Sequence, residues 1–247
     1  MRPSVRRKGA APAPLLTWRM PAELLSHHEM CGREGLSLQR GMNFKVRGGH
    51  SVLLMSQRPG APYRDALSED GTVLFYEGHD APVNTTRGLD PKTVDQPLLT
   101  PGGRLTQNGL FYEAAVRAQA GEVPERVRVY EKLRAGLWAD NGVFELFGAA
   151  LNHDGVRQVV VFSLRALADG APAAAPATPA PRRRVIPTAV KLEVWKRDGG
   201  RCVVCGETDE LQFDHVLPYA LGGTSLTAEN VQLLCARHNL AKGARLD

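Results

Sequence analysis

The sequence contains no apolar run approaching the ~18 residues that a membrane-spanning helix requires, which excludes such a helix within these 247 residues. It also has no apolar h-region behind its first basic residues. Met1-Arg-Pro-Ser-Val-Arg-Arg-Lys-Gly9 leads instead into Ala10–Pro14, rich in alanine and proline, which reads as a disordered basic arm and no secretion signal. Cysteine is scarce, with only four. Two of them form Cys202-x-x-Cys205 and a third begins Cys235-x-x-His238, a pattern that argues against a disulfide framework and for metal in a reducing cytoplasm. Charge of one sign is not in large excess either. The net +5 divides into +4 over residues 1–14, −1 over 15–181 and +2 over 182–247. The two ends therefore suit a polyanion, although charge alone does not identify nucleic acid.

A hydrophobic content of 43% supports real cores. The clearest boundary is Ala168-Asp-Gly-Ala-Pro-Ala-Ala-Ala-Pro-Ala-Thr-Pro-Ala-Pro181, a composition that cannot pack a core and favours extended conformations. It divides the chain into a basic arm (1–14), a front module (15–167), a linker (168–186) that includes Arg182-Arg-Arg184, and a C-terminal module (187–247). No internal repeat is present.

The front module reads mostly as strand. Ser51–Met55 and Thr72–Tyr76 are short apolar runs bounded by glycine, Arg126–Tyr130 alternates strictly, and Gln158–Phe162 is a fourth strand. Leu110–Ala120 is the best helix. An α+β architecture is expected, a curled sheet or barrel with one or two helices. In the C-terminal module Pro187 opens a helix with Val190, Val194 and Trp195 on one stripe, ended by Gly199-Gly200. A Cys202-x-x-Cys205 turn, a strand near Leu211–Val216, a Gly222-Gly223 loop and a helix from about Ala236 follow, in a ββα order.

Cys202, Cys205, Cys235 and His238 have the spacing of a closed four-ligand Zn²⁺ site, and a module this small needs such a staple to fold. On its own that pattern describes a structural zinc ribbon. Between the ligand pairs lie Leu211-Gln-Phe-Asp214-His215-Val-Leu-Pro218, Gly222-Gly223 and Glu229-Asn230, followed by Cys235-Ala-Arg-His238-Asn239-Leu-Ala-Lys242-Gly243. In this order the residues resemble the HNH family of ββα-metal nucleases over 187–245. The departure is Cys235-x-x-His238-Asn239, where the family often has Cys-x-x-Cys-His.

Phosphodiester hydrolysis needs a deprotonated water, neutralised phosphate charge and a stabilised leaving oxygen. A neutral imidazole has nearly the right pKa for the first task, so His215 is the expected general base. Asp214 and the amide oxygen of Asn239 are hard ligands suited to one Mg²⁺ or Mn²⁺ ion. Lys242 shares a helical face with Asn239, within reach of a phosphate. The resemblance implies that Asn230 orients the histidine through the backbone. Strand alternation opposes Asp214 and His215, so both serve one site only if the strand bends or ends there.

In the front module, Tyr63-Arg-Asp65 and Asp70-Gly71-Thr-Val-Leu-Phe-Tyr76-Glu77-Gly78-His79-Asp80 interleave aromatics and carboxylates near glycine turns. Rings stack on bases, and a carboxylate accepts from a cytosine amine. The order of features resembles the SRA (YDG) domain, a PUA-like barrel that flips modified cytosine. It runs from Gly48-Gly-His-Ser-Val-Leu-Leu-Met55 through Tyr63-x-Asp65, Tyr76-x-Gly78, Asp95-Gln96, Asn108-x-Leu110 and Val127-Arg-Val129 to Asn141-Gly-Val-Phe144. The resemblance implies that Tyr63 and Tyr76 sandwich the base and Asp65 reads its polar edge, with Asp70 the alternative acid. Glu77 stands near a usual small hydroxyl residue, and Asn141 replaces a usual aspartate.

An SRA-like module joined to an HNH module resembles bacterial modification-dependent (McrA-type) restriction endonucleases. The expected partner is double-stranded DNA with methylated or hydroxymethylated cytosine. No membrane is expected, a homodimer is left open, and the location is the bacterial cytoplasm. The alternatives are an HNH endonuclease reading unmodified sequence or structure, and a non-catalytic zinc-containing nucleic-acid-binding protein. The linker suggests slack between the modules.

Overall fold

A computed structural model describes residues 22–69, 71–167, 185–217 and 223–242. Asp70, Pro218, Gly222, Gly243, the basic arm and the whole of the Pro/Ala-rich stretch 168–181 lie outside the described residues. The elements run in the order β1 (Ala22–Leu25), α1 (His27–Glu34), β2 (Met42–Asn43), β3 (Ser51–Met55), β4 (Ala66–Leu67), β5 (Val73–Glu77) and α2 (Gln107–Gln119). There follow β6 (Glu125–Arg134), β7 (Leu137–His153), β8 (Gln158–Ala166), α3 (Thr188–Arg197), β9 (Leu211–His215), β10 (Val231–Cys235) and α4 (Ala236–Lys242). The class is mixed α+β, and the sheet is curled open.

Its organising element is β7, whose 17 residues are too long for one flat neighbour. One edge pairs with β6 from Leu137 to Leu146. The other edge is shared, β1 taking Trp138–Asp140 and β8 taking Phe144–His153. Register shifts at Arg128/Tyr130, Lys132/Arg134 and Leu146/Gly148 mark where the ladder bends, as bulges do by adding local twist. Strand β3 joins β6 in parallel, and α2 lies in the connection between them. Thr106 caps α2 by accepting from the Gly109 N–H at 3.1 Å. Inside the curl, Leu53, Met55, Leu74, Tyr76, Phe111, Phe144 and Phe162 form the main core.

The four strands and the helix read from the front-module sequence are present, β5 displaced by one residue and α2 beginning three residues early. Strand β7 was not anticipated, because Asp140, Asn141 and Gly142 interrupt its apolar run, although burial alternates from Gly142 to Ala149. Helix α1 was also missed, although Ser26 and Glu29 form a reciprocal capping box at its start.

The largest departure from expectation is the relation between the modules. The β9–β10 hairpin extends the front sheet, with Ala22 opposite Phe213 and Glu23 opposite Gln212. Leu24, Leu133 and Ala139 of the front module share a core with Ile186, Val190, Val194, Phe213 and Leu233. Val185 and Ile186, assigned by composition to the linker, are buried. Beneath this junction the Lys191 ammonium pairs with Glu131, both wholly buried, and donates to the Asn141 amide oxygen at 2.6 Å. Asn141 in turn donates to Glu131 at 3.1 Å, and the Thr188 hydroxyl lies at hydrogen-bond distance from both Glu131 and Gln57. An aspartate at 141 could not donate to Glu131, which gives asparagine a role there. Slack between modules is therefore not what these contacts provide.

Candidate active site and base pocket

The zinc ligands converge as their spacing requires. Cys202 and Cys205 stand on a turn in which the Gly206 N–H reaches the Cys202 carbonyl. Cys235 ends β10, and His238 lies one turn into α4. The four ligand atoms lie within 4.8 Å of one another. The Cys205 and Cys235 sulfurs are 3.9 Å apart, and His238 Nδ1 is 3.5 Å from Cys202 Sγ and 3.3 Å from Cys235 Sγ. Sulfur at ~2.3 Å and nitrogen at ~2.0 Å from a tetrahedral ion lie about 3.5–3.8 Å apart, so the donor set fits Zn²⁺. Burial opposes thiolate formation at Cys202, but backbone donors from Cys235, Cys205 and Val204 hold its pKa down at about 6.

Beside this cage, β9 divides the remaining residues between its two faces. Leu211, Phe213 and His215 turn one way, the first two into the shared core. Gln212 and Asp214 turn toward α4. There Asn239 donates to Gln212, and Lys242 donates to the Asp214 carboxylate at 2.6 Å and also to the His215 carbonyl. Asp214, Asn239 and Lys242 thus share one side of the strand end. The His215 imidazole leaves from the other side, and its Nε2 lies 2.8 Å from the Ser225 hydroxyl. Strand β9 ends at His215, as a site using both residues demands.

Burial lowers the His215 pKa below its ordinary 6.5, with Asp214 opposing and Lys242 assisting. Asn230 holds the surrounding backbone. Its amide oxygen accepts from the Leu217 N–H at 2.8 Å, and its amide nitrogen donates to the Leu217 and Thr224 carbonyls at 3.1 and 2.8 Å. Those residues lie next to Val216 and Ser225, on either side of the histidine's loop. At Gly223 a Cβ would fall 1.8 Å from the Leu217 carbonyl oxygen, so this loop closes only around glycine. Ser225 and Gln212 gave no sequence signal, because a serine in a loop and a glutamine in a strand are ordinary.

Asp214 and Asn239 are the hard oxygen donors of this side, with the Lys242 ammonium against the Asp214 carboxylate. Asp214 and Asn239 stand on the same side, and Asn239 uses its amide nitrogen toward Gln212, leaving its oxygen as the hard donor of that group.

In the front module Tyr63, Asp65, Tyr76 and Glu77 form one cluster. Asp65 accepts from the Ser56 N–H at 3.0 Å and the Glu77 N–H at 3.2 Å. Burial raises its pKa to about 7 against those two donors, with the Glu77 and Glu131 charges adding to the rise. Tyr63 lies at the edge of the cluster, its hydroxyl oxygen 3.4 Å from the Asp80 N–H and Lys92 Nζ 4.3 Å from its ring centroid. Tyr76 is a core residue, 1% exposed, with its hydroxyl 3.4 Å from the Leu54 carbonyl and 3.2 Å from His79 Nε2. The Glu77 carboxylate is committed internally to the Arg64 N–H at 2.8 Å and to Gln96 at 3.1 Å, with Arg157 3.6 Å away.

The structure adds His79, which has no role in the sequence reading. Its ring stacks on Tyr63 with centroids 5.1 Å apart and planes 14° apart. Asn108 fixes its backbone from α2, accepting from the His79 N–H and donating to its carbonyl, both at 2.8 Å.

Residues 202–247 match the family model described as HNH endonuclease. Among solved structures, the chain is similar to the SUVH5 SRA in complex with hemi-methylated CG DNA, at 20% identity and TM-score 0.40, covering 65% of this chain and 93% of that one. It is similar to the SUVH5 SRA bound to fully hydroxymethylated CG DNA at 19% identity and TM-score 0.40, covering 69% and 98%. Arabidopsis thaliana SUVH6 in complex with SAM is matched at 17% identity and TM-score 0.36, covering 63% of this chain and 24% of that one. Scores of this size decide nothing about the pocket. No curated protein sequence matches the chain closely enough to count as a relative.

Proposed function

We propose that this protein is a DNA endonuclease that reads methylated or hydroxymethylated cytosine with its front module and hydrolyses phosphodiester bonds with its HNH module. The observation that carries the reading is the end of β9. There Asp214, Asn239 and Lys242 gather on one side and His215 on the other, braced by a four-ligand cage, within the segment that matches the HNH endonuclease family.

In-line displacement places attacking water and leaving oxygen on opposite sides of phosphorus, and residues on two sides of a strand end suit that demand. His215, kept neutral by burial, takes the proton of the attacking water. Asn230 and Ser225 hold its ring in place. Lys242 brings positive charge to the phosphate side, and Asp214 and Asn239 would hold a Mg²⁺ or Mn²⁺ ion. When bound, that ion supplies charge neutralisation at the phosphate and the leaving 3′ oxygen. Cys202, Cys205, Cys235 and His238 would hold Zn²⁺ as the staple that fixes α4 against β9.

Selection of modified DNA rests on the Tyr63–Asp65 cluster and on the SRA likeness in the order of sequence features. On this reading the biological role is restriction of modified invading DNA in a bacterial cytoplasm. The test is cleavage of matched plasmids, unmodified, methylated or hydroxymethylated at cytosine, with Mg²⁺ or Mn²⁺. Cleavage confined to modified plasmid supports the whole reading. Equal cleavage of unmodified plasmid selects a nuclease reading ordinary duplex, and no cleavage with any substrate or metal overturns the enzymatic assignment.

A further inference from the structure

A base flipped into the front module needs an aromatic face, and the most accessible ring in the cluster is Tyr63. That face is already taken. The His79 imidazole lies nearly parallel to it at 5.1 Å, and it also faces Tyr76, with centroids 6.4 Å apart and Nε2 at hydrogen-bond distance from the Tyr76 hydroxyl. The space around the ring is full. A Cβ on Gly41 would sit 2.6 Å from His79 Nε2 and 2.9 Å from the Tyr76 hydroxyl. Burial holds the His79 pKa down to about 4, against the Asp80 charge and with help from Arg40 and Lys92. At neutral pH the ring is thus a flat, uncharged heterocycle that stacks on one tyrosine and hydrogen-bonds another. Those are the contacts expected of a nucleobase.

The surroundings determine which part can move. The backbone of His79 is clamped on both sides by Asn108, and the Gly78 carbonyl accepts from Gln96 at 2.7 Å. Asp80 is held by Arg157 at 2.6 Å and Lys92 at 2.9 Å. Only the imidazole, turning about its two side-chain torsions, can leave the slot without dismantling the loop.

We propose that His79 is a displaceable plug: its ring fills the base-binding face of Tyr63 in DNA-free protein and swings out when a flipped modified cytosine enters. This rests on the base-reading proposal above and deepens it, because an occupied slot makes specificity a competition. Only a base that gains more from the slot than the imidazole loses can displace it, which raises the threshold for entry above that of an open pocket. Tyr76, buried behind the ring, becomes available to the base only after His79 moves.

The experiment measures affinity of the full-length zinc-loaded protein for paired 5-methylcytosine and unmodified duplexes at fixed salt. His79→Ala should bind the methylated duplex about three- to tenfold tighter, the worth of one aromatic stack, with the unmodified duplex unchanged. His79→Asn, which fits the slot but stacks less on Tyr63, should likewise tighten methylated-duplex binding and keeps the test open if the alanine variant folds poorly. In wild-type protein the His79 ring-proton resonance, shifted upfield by the Tyr63 ring current, should move downfield when the methylated duplex is added. Weaker methylated-duplex binding by His79→Ala would make His79 a base contact and overturn the plug. Unchanged affinity on both duplexes, or an unmoved resonance, would make it structural and also overturn the plug. A wild-type protein with no preference for the methylated duplex would remove the base-reading proposal itself, an outcome distinct from the other three.

Discussion

The front module builds its core almost wholly from its own elements, Val185 being the one residue added from beyond it, with Phe111 of α2 packed against Phe44 and Phe162 inside the curled sheet. The C-terminal module does not. Its hydrophobic cluster is completed by Leu24, Leu133 and Ala139 of the front module, its hairpin takes β1 as a further strand, and its far end is closed by a four-ligand cage. One module is held by area, the other by a cage of candidate metal ligands and a neighbour. Small modules bury too small a fraction of their surface to stand alone, and here two different supplements meet that shortage on opposite sides of β9.

The sharpest way to break the comparison is to remove the metal. Structural zinc contributes about 10–16 kcal/mol to small zinc modules, more than the whole stability of most domains. Chelation, or Cys202→Ser, should unfold α3, β9, β10 and α4 while the front module survives. Calorimetry should then show a single remaining transition and metal analysis a loss of about one zinc per chain. Simultaneous unfolding of both modules would mean that the shared sheet couples them completely.

Chemistry should separate from reading just as cleanly. His215→Ala should lower the cleavage rate by about 10²–10⁴-fold, the usual contribution of a general base, with affinity for either duplex unchanged. Because burial lowers the His215 pKa below 6.5, the neutral form persists at lower pH, and the acid limb of the wild-type pH–rate profile should fall below pH 6.5. A variant cutting near the wild-type rate would remove His215 from the base role.

The junction itself can be weakened without replacing a residue of either site. Removing one partner of a buried ion pair typically costs about 3–5 kcal/mol, whereas replacing both with apolar groups can be neutral. Lys191→Met should therefore destabilise the protein strongly, and Lys191→Met with Glu131→Leu should recover much of the loss. If the pair fixes the nuclease against the front module, wild-type protein should cut at one narrow offset from a single modified cytosine. Extra linker residues within 168–184 should leave that offset unchanged, and Lys191→Met should broaden it. An offset that grows with linker length would show that the tether sets the distance.

How much of this was legible in the sequence differs between the modules for a physical reason. The candidate zinc ligands come from short segments with fixed spacing, so the convergence of Cys202, Cys205, Cys235 and His238 could be expected without coordinates, and Asp214 and Asn239 stood out beside them. The front cluster is assembled from distant strands and loops. Tyr63 and Asp65 could be picked out, but nothing local reveals that His79 covers Tyr63 or that Tyr76 is core. The docking of the modules was hidden further, because Glu131, Asn141 and Lys191 are ordinary surface residue types until folding buries them together. Asp70, offered as the alternative acid, lies outside the described residues.

The smallest expected effect tests the reading side alone, through Asp65. Burial lifts its pKa to about 7 from an ordinary 3.8, so between pH 6 and pH 8 it passes from mostly protonated to mostly ionised. Ionised, the carboxylate is the stronger acceptor for the exocyclic amine of cytosine and has no O–H to oppose it. Methylated-duplex affinity should accordingly rise by up to about tenfold from pH 6 to pH 8, since one pH unit below the pKa leaves roughly a tenth ionised. Affinity for unmodified duplex should stay flat, and His79, neutral throughout that window, adds no slope. Stability moves the opposite way. A carboxyl whose folded pKa exceeds its unfolded value holds its proton more tightly when folded, so its stabilising contribution is full below 3.8 and is lost as pH rises through about 7. Binding titrations at pH 6, 7 and 8, paired with thermal melts at each pH, measure both slopes. Asp65→Asn should flatten both. If the affinity slope survives in that variant, a different group reads the base, and if wild type shows no slope, Asp65 serves the fold through its Ser56 and Glu77 backbone bonds alone.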